Sequence, residues 1–95
     1  MAPALDIRIE DDGRRGRYVT EFEGETAVLD FLRDGDRRVA LHVGVPRPIE
    51  GRGVGQALVR RMVEDARAEG FRIVPRCPFV AVQRRRHSDW EDAFA

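Results

Sequence analysis

The segment EGRGVGQ at residues 50–56 gives the strongest structural signal in this chain of 95 residues. Its three glycines alternate with other residues just before a stretch whose apolar positions recur at helical spacing. Glycine has no Cβ atom, so the main chain of such a turn can approach a ligand closely. The first turn of the following helix offers unpaired N–H groups and the positive end of the helix dipole, which favour a phosphate or pyrophosphate. A tight strand-to-helix turn that binds nothing explains the glycines about equally well.

The residues around this turn predict a single α+β domain over residues 1–95 with a mixed, mostly antiparallel sheet. Downstream, one apolar stripe predicts a long helix over residues 54–69, and Gly70 stands where a left-handed helix cap belongs. Upstream, alternating patterns separated by short polar turns predict four antiparallel strands. A helix joins the fourth and fifth strands, so these two are expected to be parallel and linked by a right-handed crossover. The predicted strands cover residues 5–10, 17–22, 26–32, 39–45 and 71–74, and a short second helix covers residues 78–86.

Composition excludes several classes of protein. All 17 basic residues are arginine and are balanced by 17 acidic residues, which argues against a nucleic-acid partner bound through an overall positive field. The absence of lysine excludes a P-loop, and the glycine spacing differs from that of a dinucleotide fold. Residues 46–95 contain 10 arginines and 7 acidic residues, so an anionic ligand is expected on this half.

The cysteine count and the N-terminal segment favour a location in the cytoplasm. Cys77 is the single cysteine, so it cannot form an intrachain disulfide. The first residues, MAPALD, lack the pattern of a signal peptide, and no apolar run predicts a membrane span. One cysteine and two distant histidines also lack the spacing of metal ligands, so no metal is expected.

The segment EGRGVG at residues 50–55 resembles the acetyl-CoA-binding signature of the GNAT superfamily of N-acetyltransferases, [Q/R]-x-x-G-x-[G/A]. The order of strands, long helix, Gly70 and strand agrees with that superfamily. CPF at residues 77–79 and RRH at residues 85–87 further resemble its short single-domain branch, a GNAT-like core without N-terminal helices. This resemblance implies a GNAT-like fold, acetyl-CoA as cosubstrate and an amine as acceptor.

The resemblance also implies which residues bind the cosubstrate. Main-chain N–H groups from Arg52 to Gln56 would bind the pyrophosphate, and Val43 and Val45 would pair with the pantetheine amides. Glu50 departs from the signature, which has Gln or Arg at this position; either its carboxylate points away, for instance toward Arg52, or the cosubstrate binds more weakly. The predicted cofactor-binding residues are Val43, Val45, Glu50, Gly51, Arg52, Gly53, Val54, Gly55 and Gln56.

Two residues are candidates for the chemistry. The Cys77 thiol could lie beside the thioester, either as a proton donor to the leaving thiolate or as a transient acetyl acceptor. It could equally be a small buried apolar residue. His42 suits a general base because histidine titrates near neutral pH, although a half-buried histidine that is hydrogen-bonded to a neighbour is the simpler interpretation. His87 could serve the acceptor site or a local helix cap, and the arginines at residues 84–86 could lie in solvent or contact the 3′-phosphate.

These residues support two hypotheses of different classes. The first is an acetyl-CoA-dependent N-acetyltransferase that acts on an unidentified amine. The second is an acyl-CoA-binding or interaction module with little catalytic activity. The sequence leaves the acceptor and the oligomeric state open.

Overall fold

The computed structural model describes residues 4–95; residues 1–3, which belong to the predicted domain, lie outside this range. Within residues 4–95, five strands form one sheet in the order β1-β2-β3-β4-β5, with two α-helices and two short 3₁₀ helices. The prediction of a mixed, mostly antiparallel α+β fold is confirmed. The elements are β1 (Arg8–Asp11), β2 (Arg15–Phe22), β3 (Glu25–Asp34), β4 (Arg37–Gly44), a 3₁₀ helix (Arg47–Ile49), α1 (Val54–Glu69), β5 (Arg72–Pro75), α2 (Pro78–Arg86) and a second 3₁₀ helix (Ser88–Ala93).

The two α-helices have the predicted bounds. Helix α1 buries its apolar stripe against β2 and β3, and Gly70 follows it with a φ of 84°, the left-handed cap expected from the sequence. Helix α2 begins at Pro78, where a missing N–H costs nothing, and packs against α1, β4 and β5. The strand pairing also agrees with prediction, because β1 to β4 are antiparallel neighbours and β4 pairs with β5 in parallel.

The first strand differs from its prediction. The alternation over residues 5–10 predicted a half-buried strand, but β1 covers Arg8–Asp11 and all four residues are exposed. Leu5 and Ile7, which dominate the alternation, instead lie before the strand and pack against the core. Because β1 is at the edge of the sheet, it pairs with β2 alone, and pairing starts at Arg8 opposite Val19.

Strand β4 contains a β-bulge that positions the site. Phe31 of β3 lies opposite Ala40, whereas Asp30 lies opposite His42, so Leu41 is the extra residue on β4. The bulge shifts the alternation by one residue, and Val43 therefore packs toward the core, on the same side as Ala40. The strand ends at Gly44 rather than at Val45, since its pairing with β3 stops at Val28.

The core lies between α1 and one face of the sheet. Tyr18, Leu29 and Phe31 face the helix and are almost completely buried, and the Tyr18 hydroxyl donates a 2.8 Å hydrogen bond to Asp65 of α1. The opposite face carries charged residues, including an ion pair of 2.6 Å between Arg17 and Asp30. At the C-terminus Trp90 and Phe94 are 2% exposed, and Phe94 forms a bridge to Ile73 of β5.

Candidate cofactor site

The turn before α1 needs glycine for conformational reasons. Gly51 and Gly53 have φ values of 76° and 82°, in the left-handed region that other residues rarely adopt. Gly53 occupies the N-cap of α1 and has no side chain that could bond the first helical N–H groups. Its carbonyl oxygen accepts the first helical hydrogen bond, from the N–H of Ala57 at 3.0 Å. The helix therefore starts without an internal cap.

Because no side chain caps α1, the main-chain N–H groups around its start have no partner in the chain that the structure describes. Within residues 4–95, none of the main-chain N–H groups from Gly51 to Gln56 donates to a protein acceptor. The first N–H groups of a helix have no partner in the helix itself, and they carry the positive end of its dipole. The turn and the first turn of α1 can therefore bind an anion through the main chain.

A cavity of about 530 Å³ lies directly against this turn. The end of β4, the turn, the start of α1 and one side of α2 form its walls. Every predicted cofactor-binding residue except Arg52 borders it. The lining residues are Val43, Val45, Ile49, Glu50, Gly51, Gly53, Val54, Gly55, Gln56, Phe79 and Gln83.

The side chain of Arg52 points elsewhere. Its guanidinium group makes two hydrogen bonds of 3.0 Å to Glu23 and lies over the Phe22 ring. The expectation that Glu50 turns toward Arg52 is therefore wrong, because Arg52 pairs instead with Glu23, which lies in the turn between β2 and β3. Glu50 is exposed and borders the same cavity as the free N–H groups. A negative charge here opposes an anionic ligand, in line with the other predicted alternative of weaker binding.

The gap between β4 and β5 extends the cavity along the sheet. The parallel pairing of these strands ends where Ala40 lies opposite Pro75, while β4 continues to Gly44. Beyond that point the side of β4 that faces β5 has no strand partner. Val43 and Val45 border the cavity along this stretch. Their pairing with a pantetheine arm stays a prediction.

The two predicted catalytic residues lie on different sides of the sheet. Cys77 belongs to the buried core, is 5% exposed and does not border the cavity. Its main-chain N–H donates a 2.9 Å hydrogen bond to the carbonyl of Ala40, which places the start of α2 at the end of the β4–β5 pairing. His42 is exposed on the charged face of the sheet, where it borders a second cavity of about 540 Å³ together with Arg17 and Asp30.

His87 serves as a local cap at the end of α2. Its main-chain N–H and its Nδ1 both lie 3.0 Å from the carbonyl oxygen of Gln83. A carbonyl oxygen only accepts hydrogen bonds, so Nδ1 of His87 carries a proton. In the neutral ring Nε2 is then an acceptor, and the amide nitrogen of Gln56 lies 3.2 Å from it. The ring stacks on Trp90 with centroids 3.9 Å apart. Of the neighbouring arginines, Arg84 is paired with Glu91.

The sequence reasoning missed three residues of the cavity wall. Ile49 lies in the 3₁₀ helix before the turn, and Phe79 and Gln83 lie on α2. The spacing of four residues between Phe79 and Gln83 places both on one side of the helix, and this spacing was the available signal. Which element that side faces depends on how α2 packs against α1.

Over residues 4–95, no group of three or more histidine, cysteine or acidic side chains is arranged to hold a metal ion. No helix in the same range is long and apolar enough to cross a membrane.

The sequence comparisons agree with this geometry. The family model described as GCN5-related N-acetyl-transferase matches residues 17–93, which include most of β2, the three later strands, the glycine turn and both α-helices. A comparison with curated proteins found no similar sequence. The family model does not test the CPF motif, so membership of the short branch stays a prediction. Since the match covers most of the chain and the five-stranded α+β sheet agrees with the GNAT fold, this chain belongs to the GCN5-related N-acetyltransferase family.

Proposed function

We propose that this chain is an acetyl-CoA-dependent N-acetyltransferase whose acceptor is an amine. The observation that carries the proposal is the row of unpaired N–H groups from Gly51 to Gln56 at the wall of a cavity of about 530 Å³. A pyrophosphate is a diester with two negative charges, which suits several convergent main-chain donors at a helix N-terminus. Family membership supports the same cosubstrate.

The residues that border the cavity fit the different parts of acetyl-CoA. Gly51, Gly53 and the first turn of α1 would hold the pyrophosphate. Val43, Val45 and Phe79 would contact the pantetheine arm. When bound, acetyl-CoA supplies the acetyl group as an activated thioester. The chain's part is to hold this group in a fixed orientation near the end of the β4–β5 pairing and to move protons.

Two side chains are proposed for the proton transfers. His42 accepts the proton that the amine releases as its nitrogen attacks the thioester carbon. Cys77 donates a proton to the sulfur of the departing thiolate and regains one from solvent afterwards. Neither side chain borders the cofactor cavity in the folded chain; the main-chain N–H of Cys77 bonds the carbonyl of Ala40, two residues before His42, so both residues lie beside the end of the β4–β5 pairing. The acceptor amine would approach from the charged face that carries His42.

A second candidate is an acyl-CoA-binding module with little catalytic activity. The burial of Cys77 and its absence from the cavity wall favour it, because this thiol does not contact a ligand there in the present arrangement. Glu50 beside the donors also favours weak cosubstrate binding.

Calorimetric titration of acetyl-CoA tests both candidates together. Both expect saturable binding at one site, with a dissociation constant well below 1 mM. Binding that is absent or only millimolar contradicts both and leaves the glycines as a structural turn. If acetyl-CoA binds, release of CoA thiol in the presence of a panel of amines supports the enzyme, and tight binding without transfer supports the module.

A further inference from the structure

His87 joins the end of α2 to the first turn of α1. Its Nε2 lies 3.2 Å from the amide nitrogen of Gln56, and its Nδ1 lies 3.0 Å from the carbonyl oxygen of Gln83. The ring is also stacked on Trp90, with an angle of 10° between the two planes. Contacts on two edges and one face fix the ring, so its acceptor Nε2 stays beside the start of α1.

Gln56 occupies the helix position from which a side chain can cap its own helix. Gly53 is the N-cap of α1, so Gln56 is the third residue of the helix. A glutamine at this position can turn back and accept a hydrogen bond from the main-chain N–H of the N-cap residue, as in a capping box. Within residues 4–95 this bond is absent, and the N–H of Gly53 has no protein acceptor. The Gln56 amide contacts His87 instead.

A capped Gly53 would compete with the ligand. Gly53 and Gln56 both border the cavity of about 530 Å³, and the N–H of Gly53 belongs to the row of donors proposed for the pyrophosphate. A main-chain N–H offers one hydrogen. If the side-chain oxygen of Gln56 accepted it, that bond would have to break before a phosphate oxygen could bind. The fraction of molecules ready to bind the ligand would then be smaller, and the apparent affinity would fall with it.

We infer that His87 is a positioning residue, which holds the Gln56 side chain away from the N–H of Gly53 and so keeps this donor open for the pyrophosphate. The inference rests on the function proposed above. His87 does not border the cavity, so it acts through Gln56 and makes no contact with the ligand itself. This role accounts for the histidine of the RRH segment, which the proposed function leaves unused.

Amide hydrogen exchange at Gly53, measured by NMR, tests the positioning role without any ligand. His87→Phe keeps an aromatic ring against Trp90 and removes the nitrogen that holds Gln56. At pH 8, above the ordinary pKa of histidine, we expect the Gly53 N–H of this variant to exchange about 3- to 10-fold more slowly than that of the wild type, because Gln56 now caps it. In the Gln56→Leu background the same substitution should leave the exchange rate unchanged.

Calorimetric titration shows what this cap does to binding. His87→Phe should weaken acetyl-CoA binding about 3- to 10-fold, the usual value of one helix cap. In the Gln56→Leu background, His87→Phe should change the Kd less than about twofold, because no side chain is left to accept from the Gly53 N–H. A purely structural histidine gives a different pattern, with the same loss of affinity in both backgrounds.

Trp90→Phe is the matched control. It disturbs the packing of the His87 ring and should lower the Tm, but it keeps both hydrogen bonds of that ring, so the Kd for acetyl-CoA should not change. Should His87→Phe fold poorly, His87→Asn replaces it. The asparagine amide nitrogen is attached to Cγ, as Nδ1 of histidine is, so it can still donate to the carbonyl of Gln83 but is too short to hold Gln56.

Equal exchange rates at Gly53 in His87→Phe and the wild type overturn the inference, as does a loss of affinity that persists in the Gln56→Leu background. The proposed function survives either result. If instead the wild type does not bind acetyl-CoA, the proposed function is wrong, while the exchange rate at Gly53 still decides whether His87 keeps this donor open.

Discussion

A Cβ atom on Gly55 would lie 3.0 Å from Cζ of Phe79 and 3.3 Å from Cγ2 of Val45, so the Phe79 ring packs directly on the main chain of the turn. The sequence suggests that this glycine serves the ligand. The structure shows a second reason, because Phe79 of α2 and Val45, just after β4, lie so close to Gly55 that a side chain at this residue would push them aside. Phe79 is also 37% exposed and borders the cavity, so its position affects the shape of the site.

We therefore expect Gly55→Ala to weaken acetyl-CoA binding by about 1 kcal/mol, or roughly fivefold in Kd. The new methyl group displaces the Phe79 ring into the cavity. The free energy of unfolding should change little, since the helix propensity of alanine offsets the crowding. Calorimetric titration measures the effect, and the double variant Gly55→Ala with Phe79→Leu should recover affinity. Equal Kd values for Gly55→Ala and the wild type would show that the ring does not limit the site.

Glu50→Gln should tighten acetyl-CoA binding. The substitution removes a negative charge beside the N–H groups and restores the glutamine of the GNAT signature. An exposed carboxylate and a neighbouring phosphate repel each other by an amount on the order of 1 kcal/mol, so Kd should fall about 3- to 10-fold. The difference should shrink in 1 M salt, where the Debye length is about 3 Å.

Glu64→Gln provides the matched control for Glu50→Gln. Glu64 is exposed on α1 and lies about 15 Å along the helix from the turn, so the same change of charge there should leave Kd unaltered. An equal gain from both variants would indicate a general effect of net charge and would contradict a local role for Glu50.

Cys77 and His42 can be assigned roles by kinetics and mass spectrometry. Cys77→Ala and His42→Gln should each lower kcat about 100-fold or more while the Kd for acetyl-CoA stays the same, because neither residue borders the cofactor cavity. Incubation with acetyl-CoA should leave the Cys77 thiol unmodified, since it is 5% exposed. An acetyl adduct on Cys77 would instead establish the acetyl-acceptor role. An unchanged kcat in either variant would remove that residue from the mechanism.

Tyr18 makes stability depend on pH in the alkaline range. Burial, and next the hydrogen bond to Asp65, raise the pKa of the Tyr18 hydroxyl well above its ordinary value of about 10. The unfolded chain loses this proton above pH 10 while the folded chain keeps it, so the free energy of unfolding should fall by about 1.4 kcal/mol for each further pH unit. The contribution is complete below pH 10 and is lost as the pH rises.

Urea denaturation of the wild type and Tyr18→Phe from pH 9 to 11 checks this expectation. The chain contains no lysine and no second tyrosine, so few other groups titrate in this range. The wild type should lose stability more steeply than Tyr18→Phe. Parallel curves for the two proteins would show that the hydroxyl is not protected by the fold.

The sequence by itself determined the elements whose signals are local. Val54–Glu69 and Pro78–Arg86 are helices with the predicted ends, because apolar spacing, Gly70 and Pro78 act within a few residues of the main chain. The glycine turn could likewise be predicted from the sequence, since glycine is the residue type that adopts the positive φ found at Gly51 and Gly53 without steric cost.

Tertiary structure alone decided which side chains meet. Val39, Leu41, Val43 and Val45 alternate perfectly in the sequence and suggest one apolar face. The bulge at Leu41 breaks this face, so Val43 packs toward the core and Leu41 is 43% exposed. The bulge results from the pairing of β4 with its neighbour β3, and no pattern within β4 alone encodes that register. The placement of Gln83 in the cavity wall and of Arg52 on Glu23 depends in the same way on how separate elements pack together.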